Sequence, residues 1–244
     1  MGERKVTVFV TCLADTFRPD VAEAVVTVLE RFGVSVKVPA GQTCCGQPAY
    51  NAGYLDEAKK AALHFLDVFD GDDPIVCPSG SCASMVKHGF LRLFEDDPQN
   101  RERAEKTGER VYEFTQFLVK VLGVDGSRFS VPGKVTYHAS CHTTRHLGVR
   151  DEPLSILKSL KEGEFVPMRD AEQCCGFGGL FMAKLPEISC AIADEKAECV
   201  DETGADLVTG CDLACLFNIQ DALRRRGSRV RVEHIARVLA GGLE

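Results

Sequence analysis

Cys174-Cys175-Gly176 stands in the second half of the chain and Cys44-Cys45-Gly46 in the first, and the other cysteines are arranged about these two doublets. Each has a lone cysteine upstream: Cys12 lies 32 residues before Cys44, and Cys141 lies 33 before Cys174. Each is followed by a further pair, Cys77 and Cys82 in the first half, Cys211 and Cys215 in the second. Ten of the 12 cysteines therefore form two five-member sets of similar spacing. A fixed internal period of this kind implies one structural unit used twice. The expected division is residues 1–125 and 126–244, with Gly123 to Gly133 as the linker because Gly and Pro interrupt it repeatedly.

Working outward from the doublets, strand-like and helix-like segments alternate. Val6-Thr7-Val8-Phe9-Val10 is short, apolar and β-branched, and Cys12 follows it. Pro19 opens a helix whose apolar residues Val21, Ala24, Val25, Val28, Leu29 and Phe32 recur at helical spacing. Val34 to Val38 is the next strand, and the loop after it holds Cys44-Cys45. A helix through Leu55, Ala58, Ala62, Phe65, Leu66 and Phe69 leads to the strand Ile75-Val76, which ends at Cys77. Residues 95–110 read as a surface turn and a solvated helix, and Phe114 to Leu122 as an amphipathic helix.

The second half repeats the plan. Lys134 to Tyr137 leads to Cys141, Phe165 to Met168 leads to Cys174-Cys175, and Leu207-Val208 leads to Cys211 and Cys215. Arg229 to Val232 and Ile235 to Leu239 add a last strand and helix. Such alternation predicts an α/β fold: two tandem strand–helix repeats with parallel sheets. Open parallel sheets place ligands beyond the carboxyl ends of their strands. Loops far apart in sequence would thus deliver their cysteines to one place.

Composition narrows the function. The net charge of −7 argues against a general nucleic-acid surface, which needs clustered Lys and Arg. The cluster Arg224-Arg225-Arg226 closes a helix, where cations complement the dipole. No apolar run approaches the ~20 residues of a bilayer span, and no signal-peptide core follows Met1 to Lys5, so a cytoplasmic, reducing compartment is expected. In that setting many cysteines indicate metal or redox chemistry and not a disulfide framework.

Thiolates are soft ligands that select zinc, copper(I) or iron–sulfur clusters. Structural zinc usually takes four ligands as two short pairs. An adjacent doublet is awkward for one tetrahedral ion and better suited to two irons of a cluster, so iron–sulfur, expected as [4Fe–4S], is preferred, with zinc as the alternative. All ten cysteines (Cys12, Cys44, Cys45, Cys77, Cys82, Cys141, Cys174, Cys175, Cys211 and Cys215) are candidate ligands. The sets differ at one point: four residues separate Cys77 from Cys82, but three separate Cys211 from Cys215. Aligned on the last cysteine, Gly210 and not Cys211 falls opposite Cys77. Gly46, Gly176, Gly178 and Gly179 allow the backbone to approach a metal group closely. No Walker loop, flavin motif or dinucleotide fingerprint is visible.

His138, His142 and Arg145 crowd around Cys141 at a predicted strand end. They are candidates for catalytic work on a hydroxy acid: hydrogen bonding to the metal group, proton transfer, and a bidentate clamp on a carboxylate by Arg145. His64, His88 and His146 read as structural or surface residues, and Cys199 as a small buried hydrophobe.

Taken together, Cys44-Cys45-Gly46-Gln47-Pro48-Ala49, Cys77-Pro78-Ser79-Gly80-Ser81-Cys82, Tyr137 to His142, Cys174 to Gly179, Cys215 to Ile219 and His234-Ile235-Ala236 resemble the cysteine-rich CCG family. That family includes the cysteine-rich subunit of heterodisulfide reductase, the iron–sulfur subunit of glycolate oxidase and the lactate-utilization proteins. The resemblance runs over nearly the whole chain. It implies an iron–sulfur electron-transfer subunit of a multi-protein system oxidising L-lactate to pyruvate, an oxidoreductase inactive without partner iron–sulfur or flavin subunits. Two alternatives stay open: a subunit of a glycolate-oxidase or heterodisulfide-reductase-like complex, and a zinc-stabilised interaction module.

Overall fold

Two short parallel sheets, one in each half, carry the cysteine loops in the computed structural model, which describes residues 4–243. Met1 to Glu3, part of the segment read for a targeting signal, lie outside the described residues. The first half runs β1 (Arg4–Val8), α1 (Cys12–Phe17), α2 (Pro19–Arg31), β2 (Val34–Lys37), α3 (Gln47–Ala52), α4 (Leu55–Val68) and β3 (Ile75–Cys77). It continues through α5 (Gly80–Ser84), α6 (Phe90–Leu93), α7 (Pro98–Arg110), β4 (Val111–Glu113) and α8 (Phe114–Gln116). The second half runs β5 (Gly133–His138), α9 (Asp151–Lys158), β6 (Gly163–Phe165), α10 (Leu180–Lys184), α11 (Pro186–Glu202), β7 (Leu207–Gly210), α12 (Leu213–Arg225), β8 (Arg231–His234) and α13 (Ile235–Gly241).

The strand orders are β2-β1-β3-β4 and β6-β5-β7-β8, the same plan twice, with every pairing parallel. The α/β architecture expected from the alternation is the one observed. In each sheet the chain steps one way from the first strand and the other way from the third. The crevice between those two strands is a topological switch point, where open sheets bind ligands. Cys12 and Cys141 follow β1 and β5; Cys77 and Gly210 end β3 and β7.

Local sequence explains the elements that aim the loops. Pro19 supplies the first turn of α2, whose buried stripe is Val21, Ala24, Val25, Val28 and Leu29. Gly33, at φ 74°, ends it and turns the chain into β2. Strand β4 has no counterpart in the sequence reading: Val111 and Glu113 are buried beside β3, but three residues following a charged helix carry little strand pattern. The amphipathic helix expected over Phe114 to Leu122 is one turn of α-helix followed by a π-helical turn, Phe117–Val121. Two further π-helical turns, Met85–Gly89 and His142–His146, follow Cys82 of α5 and Cys141 after β5; such turns recur at functional sites.

The two halves share a core. One apolar cluster takes Val6, Val8 and the buried face of α2 from the first half and Tyr137, Ile156, Ile235 and Leu239 from the second. Helix α13 packs on α2, and Arg237 pairs with Asp20 at 3.0 Å. The segment expected to be a loose linker contributes Phe129, fully buried against Phe32 with ring centroids 5.9 Å apart. Burying a Phe contributes about 2–3 kcal/mol, so residues 123–133 act as a packed joint.

Candidate metal centre

Eight of the ten candidate ligands line one cavity of about 280 Å³: Cys12, Cys44, Cys45 and Cys82 from the first half, Cys141, Cys174, Cys175 and Cys215 from the second. In the first group the Cys12 thiol donates to Cys44 Sγ at 3.6 Å. Thiol hydrogen bonds from Cys12 and Cys45 hold Cys44 well below the usual thiol range, so it carries the thiolate of the group. Cys45 is buried and pushed well up, first by its hydrogen bond to Cys44 and then by Cys82 and desolvation. In the second group Cys174 is also pushed up, by its bond to Cys175 and by burial, while the Gly176 amide donates to Cys174 Sγ at 3.3 Å.

Each doublet turns on a glycine. Gly46 and Gly176 both sit at φ 81°, a left-handed conformation that L side chains rarely adopt. A Cβ on Gly176 would lie 2.5 Å from the Ser189 carbonyl oxygen, and one on Gly46 would lie 3.1 Å from Ala61 Cβ. Ser189 Oγ donates to the Gly176 carbonyl at 2.7 Å, and Asn218 Nδ2 donates to the Cys175 carbonyl at 2.7 Å. Asn218, which the sequence marks only as part of the family motif, thus pins the second doublet.

Two candidate ligands stand off the cavity. Cys77 is fully buried in the apolar cluster that holds Cys45 and Cys82, with its thiol donating to the Ser79 carbonyl at 3.4 Å. Cys211 is turned away. It is fully buried in the core shared by the halves, with its sulfur 3.3 Å from the Tyr137 hydroxyl, and burial pushes its thiol up. Structurally it matches Pro78, and Gly210 matches Cys77, as alignment on the last cysteine requires.

The three expected catalytic groups are not brought together. His142 lines the cavity, with Nδ1 3.7 Å from Cys141 Sγ and Nε2 3.3 Å from Gln47 Nε2; burial lowers its pKa. Arg145 is exposed and donates to the Glu172 carbonyl at 3.2 Å, and its charge opposes the upward push on the Cys141 and Cys174 thiols. His138 lies behind the thiols, 1% exposed. Burial, then the nearby Lys196 cation, depresses it to about 3, so it is a neutral imidazole. Neither ring nitrogen has a hydrogen-bond partner among the described residues. Its nitrogen and the sulfurs of Cys175 and Cys215 all lie within 4.8 Å of one another.

Asp212 is the residue that sequence reasoning missed. Fully buried at the cavity wall, it accepts from Ser79 Oγ at 2.8 Å, the Ser81 amide at 3.0 Å, Thr143 Oγ1 at 3.3 Å and the Ser140 hydroxyl. Burial alone would raise its pKa, but the bonds from Ser140, Ser81 and Ser79 outweigh it and hold the carboxylate ionised. An aspartate one residue past a cysteine gives no sequence signal of this role, because its partners are over 60 residues away. Its four donors come from both halves, so it locks the cavity's two walls together.

Two groups of four thiols, glycine turns that a side chain would obstruct, and an unpartnered imidazole beside Cys175 and Cys215 fit a soft metal or cluster. Among the described residues no helix is long and apolar enough to cross a membrane.

Comparison with known proteins agrees with this arrangement. The family model for the CCG cysteine-rich domain matches twice, over residues 6–87 and 135–220. Proteins named lactate utilization protein A are similar over 96% of this chain and 98% of their own: those of Anoxybacillus flavithermus and Bacillus subtilis at 47% identity, and that of Geobacillus thermodenitrificans at 48%. A crystal structure of a hypothetical protein from Helicobacter pylori shares the fold, with a TM-score of 0.60 at 10% identity; all of this chain aligns to 50% of that one. The chain belongs to the CCG cysteine-rich domain family.

Proposed function

We propose that this chain is an iron–sulfur electron-transfer subunit of a multi-protein system that oxidises L-lactate to pyruvate. The observation that carries the reading is the gathering of eight thiols, in two groups of four, on the walls of one cavity. The substrate comes from the relatives, which are named for lactate utilization and match nearly end to end.

Oxidising the C–OH of lactate to a ketone removes two electrons and two protons. When bound, iron–sulfur clusters supply one-electron transfer at potentials set by ligands, charge and hydrogen bonds. Cys12, Cys44, Cys45 and Cys82 would hold one, with Cys77 behind them; Cys141, Cys174, Cys175 and Cys215 would hold the other. Gly46 and Gly176 let the backbone come close. Among the groups expected to act on a hydroxy acid, His142 is the one open to the cavity, neutral and able to accept a proton. Arg145 is left to the outer surface, where it suits a partner subunit or an incoming carboxylate. The electrons leave to a partner iron–sulfur or flavin subunit, and the chain alone does not turn over lactate.

The test is anaerobic purification with iron, sulfide and zinc analysis and EPR, followed by mixing with co-purified partner subunits and lactate. Iron with matching sulfide, and an EPR signal that lactate changes only when partners are present, is the expected result. Zinc without sulfide would replace the redox reading by a structural one; a response to glycolate or a disulfide instead of lactate would move the chain to a sister system.

A further inference from the structure

The two halves of this chain repeat one plan, so each position in one half has a counterpart whose chemistry can be compared. Strands β1 and β3 pair with Val8 opposite Val76, which sets Phe9 beside Cys77 one step further on. Strands β5 and β7 pair with His138 opposite Gly210. Phe9 lies three residues before Cys12, as His138 lies three before Cys141. Cys77 lies five before Cys82, as Gly210 lies five before Cys215. The first half therefore has an inert ring and a thiol where the second has an imidazole and no side chain at all.

The exchange is reciprocal, and the environments agree with it. Phe9 sits in the same apolar cluster as Cys45, Cys77 and Cys82, packed edge-on against Phe65 at 4.9 Å. His138 fills the corresponding slot and brings a nitrogen within 4.8 Å of both Cys175 and Cys215 sulfurs. A slot that accepts phenylalanine has no packing need for two ring nitrogens. Buried polar groups are nearly always hydrogen-bonded, yet both of these nitrogens lack a partner among the described residues. A metal facing His138 would partner the nitrogen that faces the two sulfurs, because neutral imidazole is a good ligand for zinc and iron alike.

We propose that His138 is a metal ligand of the second cysteine set, supplying from β5 the donor that Gly210 cannot supply from β7. The two sites of the chain are then chemically unequal, all sulfur in the first half and sulfur with nitrogen in the second. Replacing thiolate by imidazole raises the potential of a cluster, so the second site is the stronger oxidant of the two. This inference rests on the reading that the second set binds a cluster, and the test separates the two.

The wild-type chain, grown with 15N-histidine and reconstituted anaerobically with iron and sulfide, is examined by pulsed EPR after reduction. A strongly coupled nitrogen, as from an imidazole bound to iron, is expected. In His138→Phe that coupling disappears and iron retention by the second set falls about tenfold or more. The double variant His138→Phe/Gly210→Cys, which recreates the first-half pair, regains the iron without the coupling. A cluster with no strongly coupled nitrogen in the wild type, or with the same coupling in His138→Phe, overturns the proposal and leaves the cluster reading intact. If no iron assembles, the cluster reading fails instead, and cobalt(II) then asks the same ligand question. A cobalt absorption spectrum altered in His138→Phe supports the nitrogen ligand, and an unaltered one overturns it.

Discussion

Ser79 and Asp212 occupy the same place in the two halves, three residues before the last cysteine of each set, and they hydrogen-bond to each other at 2.8 Å. Ser79 caps α5 by accepting the Cys82 amide, while Asp212, the N-cap residue of α12, shares its carboxylate between donors of both halves. The repeat is thus joined through a pair of equivalent residues that have diverged into donor and acceptor. Replacing Asp212 by Asn keeps the shape but removes the charge that four donors converge on. A loss of about 2–4 kcal/mol is expected, and Ser79→Ala should cost about 1–2. Urea unfolding of the metal-free protein followed by circular dichroism reads both, the chain having no Trp to report by fluorescence.

Glu113, at the end of β4, makes the protein's stability pH-dependent. Burial raises its carboxyl from 4.5 to about 7, against opposing bonds from Thr115, Gln116 and Cys211. The folded state holds this proton more tightly than the unfolded chain. The contribution is therefore fully present below about pH 4.5 and lost as pH rises through about 7. Glu113→Gln should match the parent at the acid end and exceed it by about 3 kcal/mol above neutrality. Urea midpoints of both proteins, measured across this range, check it; a constant difference would refute the assignment.

The cysteines should separate by location. Cys215→Ser removes a cavity thiol and should strip the metal from the second group. Cys211→Ala leaves the cavity walls untouched and should leave the iron content unchanged, at a stability cost of about 1–2 kcal/mol for a vacated core position and a lost contact to Tyr137. Iron analysis beside thermal unfolding distinguishes the two variants.

Glycines near the second doublet offer a graded comparison. Gly176→Ala meets both a left-handed φ of 81° and the Ser189 carbonyl oxygen at 2.5 Å, so a loss of about 3 kcal/mol or more is expected. Gly179→Ala meets open space at φ 59° and ψ −97°, so its cost is backbone strain alone, about 1–3 kcal/mol, without the added clash. Equal losses would mean that the close packing under the doublet contributes nothing.

Lys196 is a buried cation beside the second group. Its ammonium donates to the Asp170 carbonyl at 2.5 Å; burial lowers its pKa, and Cys199 and Asp170, ahead of Cys175 and Cys174, act to restore it. A positive charge stabilises the more negative, reduced state of a metal group. Lys196→Met should lower the potential of the second site by on the order of 50 mV and leave the first unchanged. A redox titration monitored by EPR measures both.

Much of this architecture is legible in the amino acids alone, and the reasons differ by element. Val6 to Val10, the stripe of α2 and the strand ending at Cys77 declare themselves through local pattern, because burial of one face imposes a period. The cysteine spacing declares the repeat. What stays hidden depends on contacts between distant residues. Strand β4 is three residues long and exists because Val111 and Tyr112 complete the edge of β3. Asp212 matters only once Ser79 and Ser140 are folded against it. Cys211 counts as a ligand by its chemistry, yet a single residue's difference in spacing turns it toward Tyr137. His138 stands in the neighbourhood the sequence marks, but its burial is not legible there. Closeness to Cys141 suggests proton transfer, whereas burial puts the ring beyond a substrate's reach.

The contact of α13 on α2 has a consequence for how the protein is made. Helix α2 leaves the ribosome early, with Val21, Val25 and Val28 already forming an apolar face, yet the helix that packs on it is the last one described. His234, which anchors α13 by accepting the Ala236 amide and donating to the Pro78 carbonyl, arrives equally late. The nascent first half therefore waits, partly uncovered, until α13 has been synthesised. A product terminated before α13 keeps that sticky face exposed, a ready mark for chaperones and proteases.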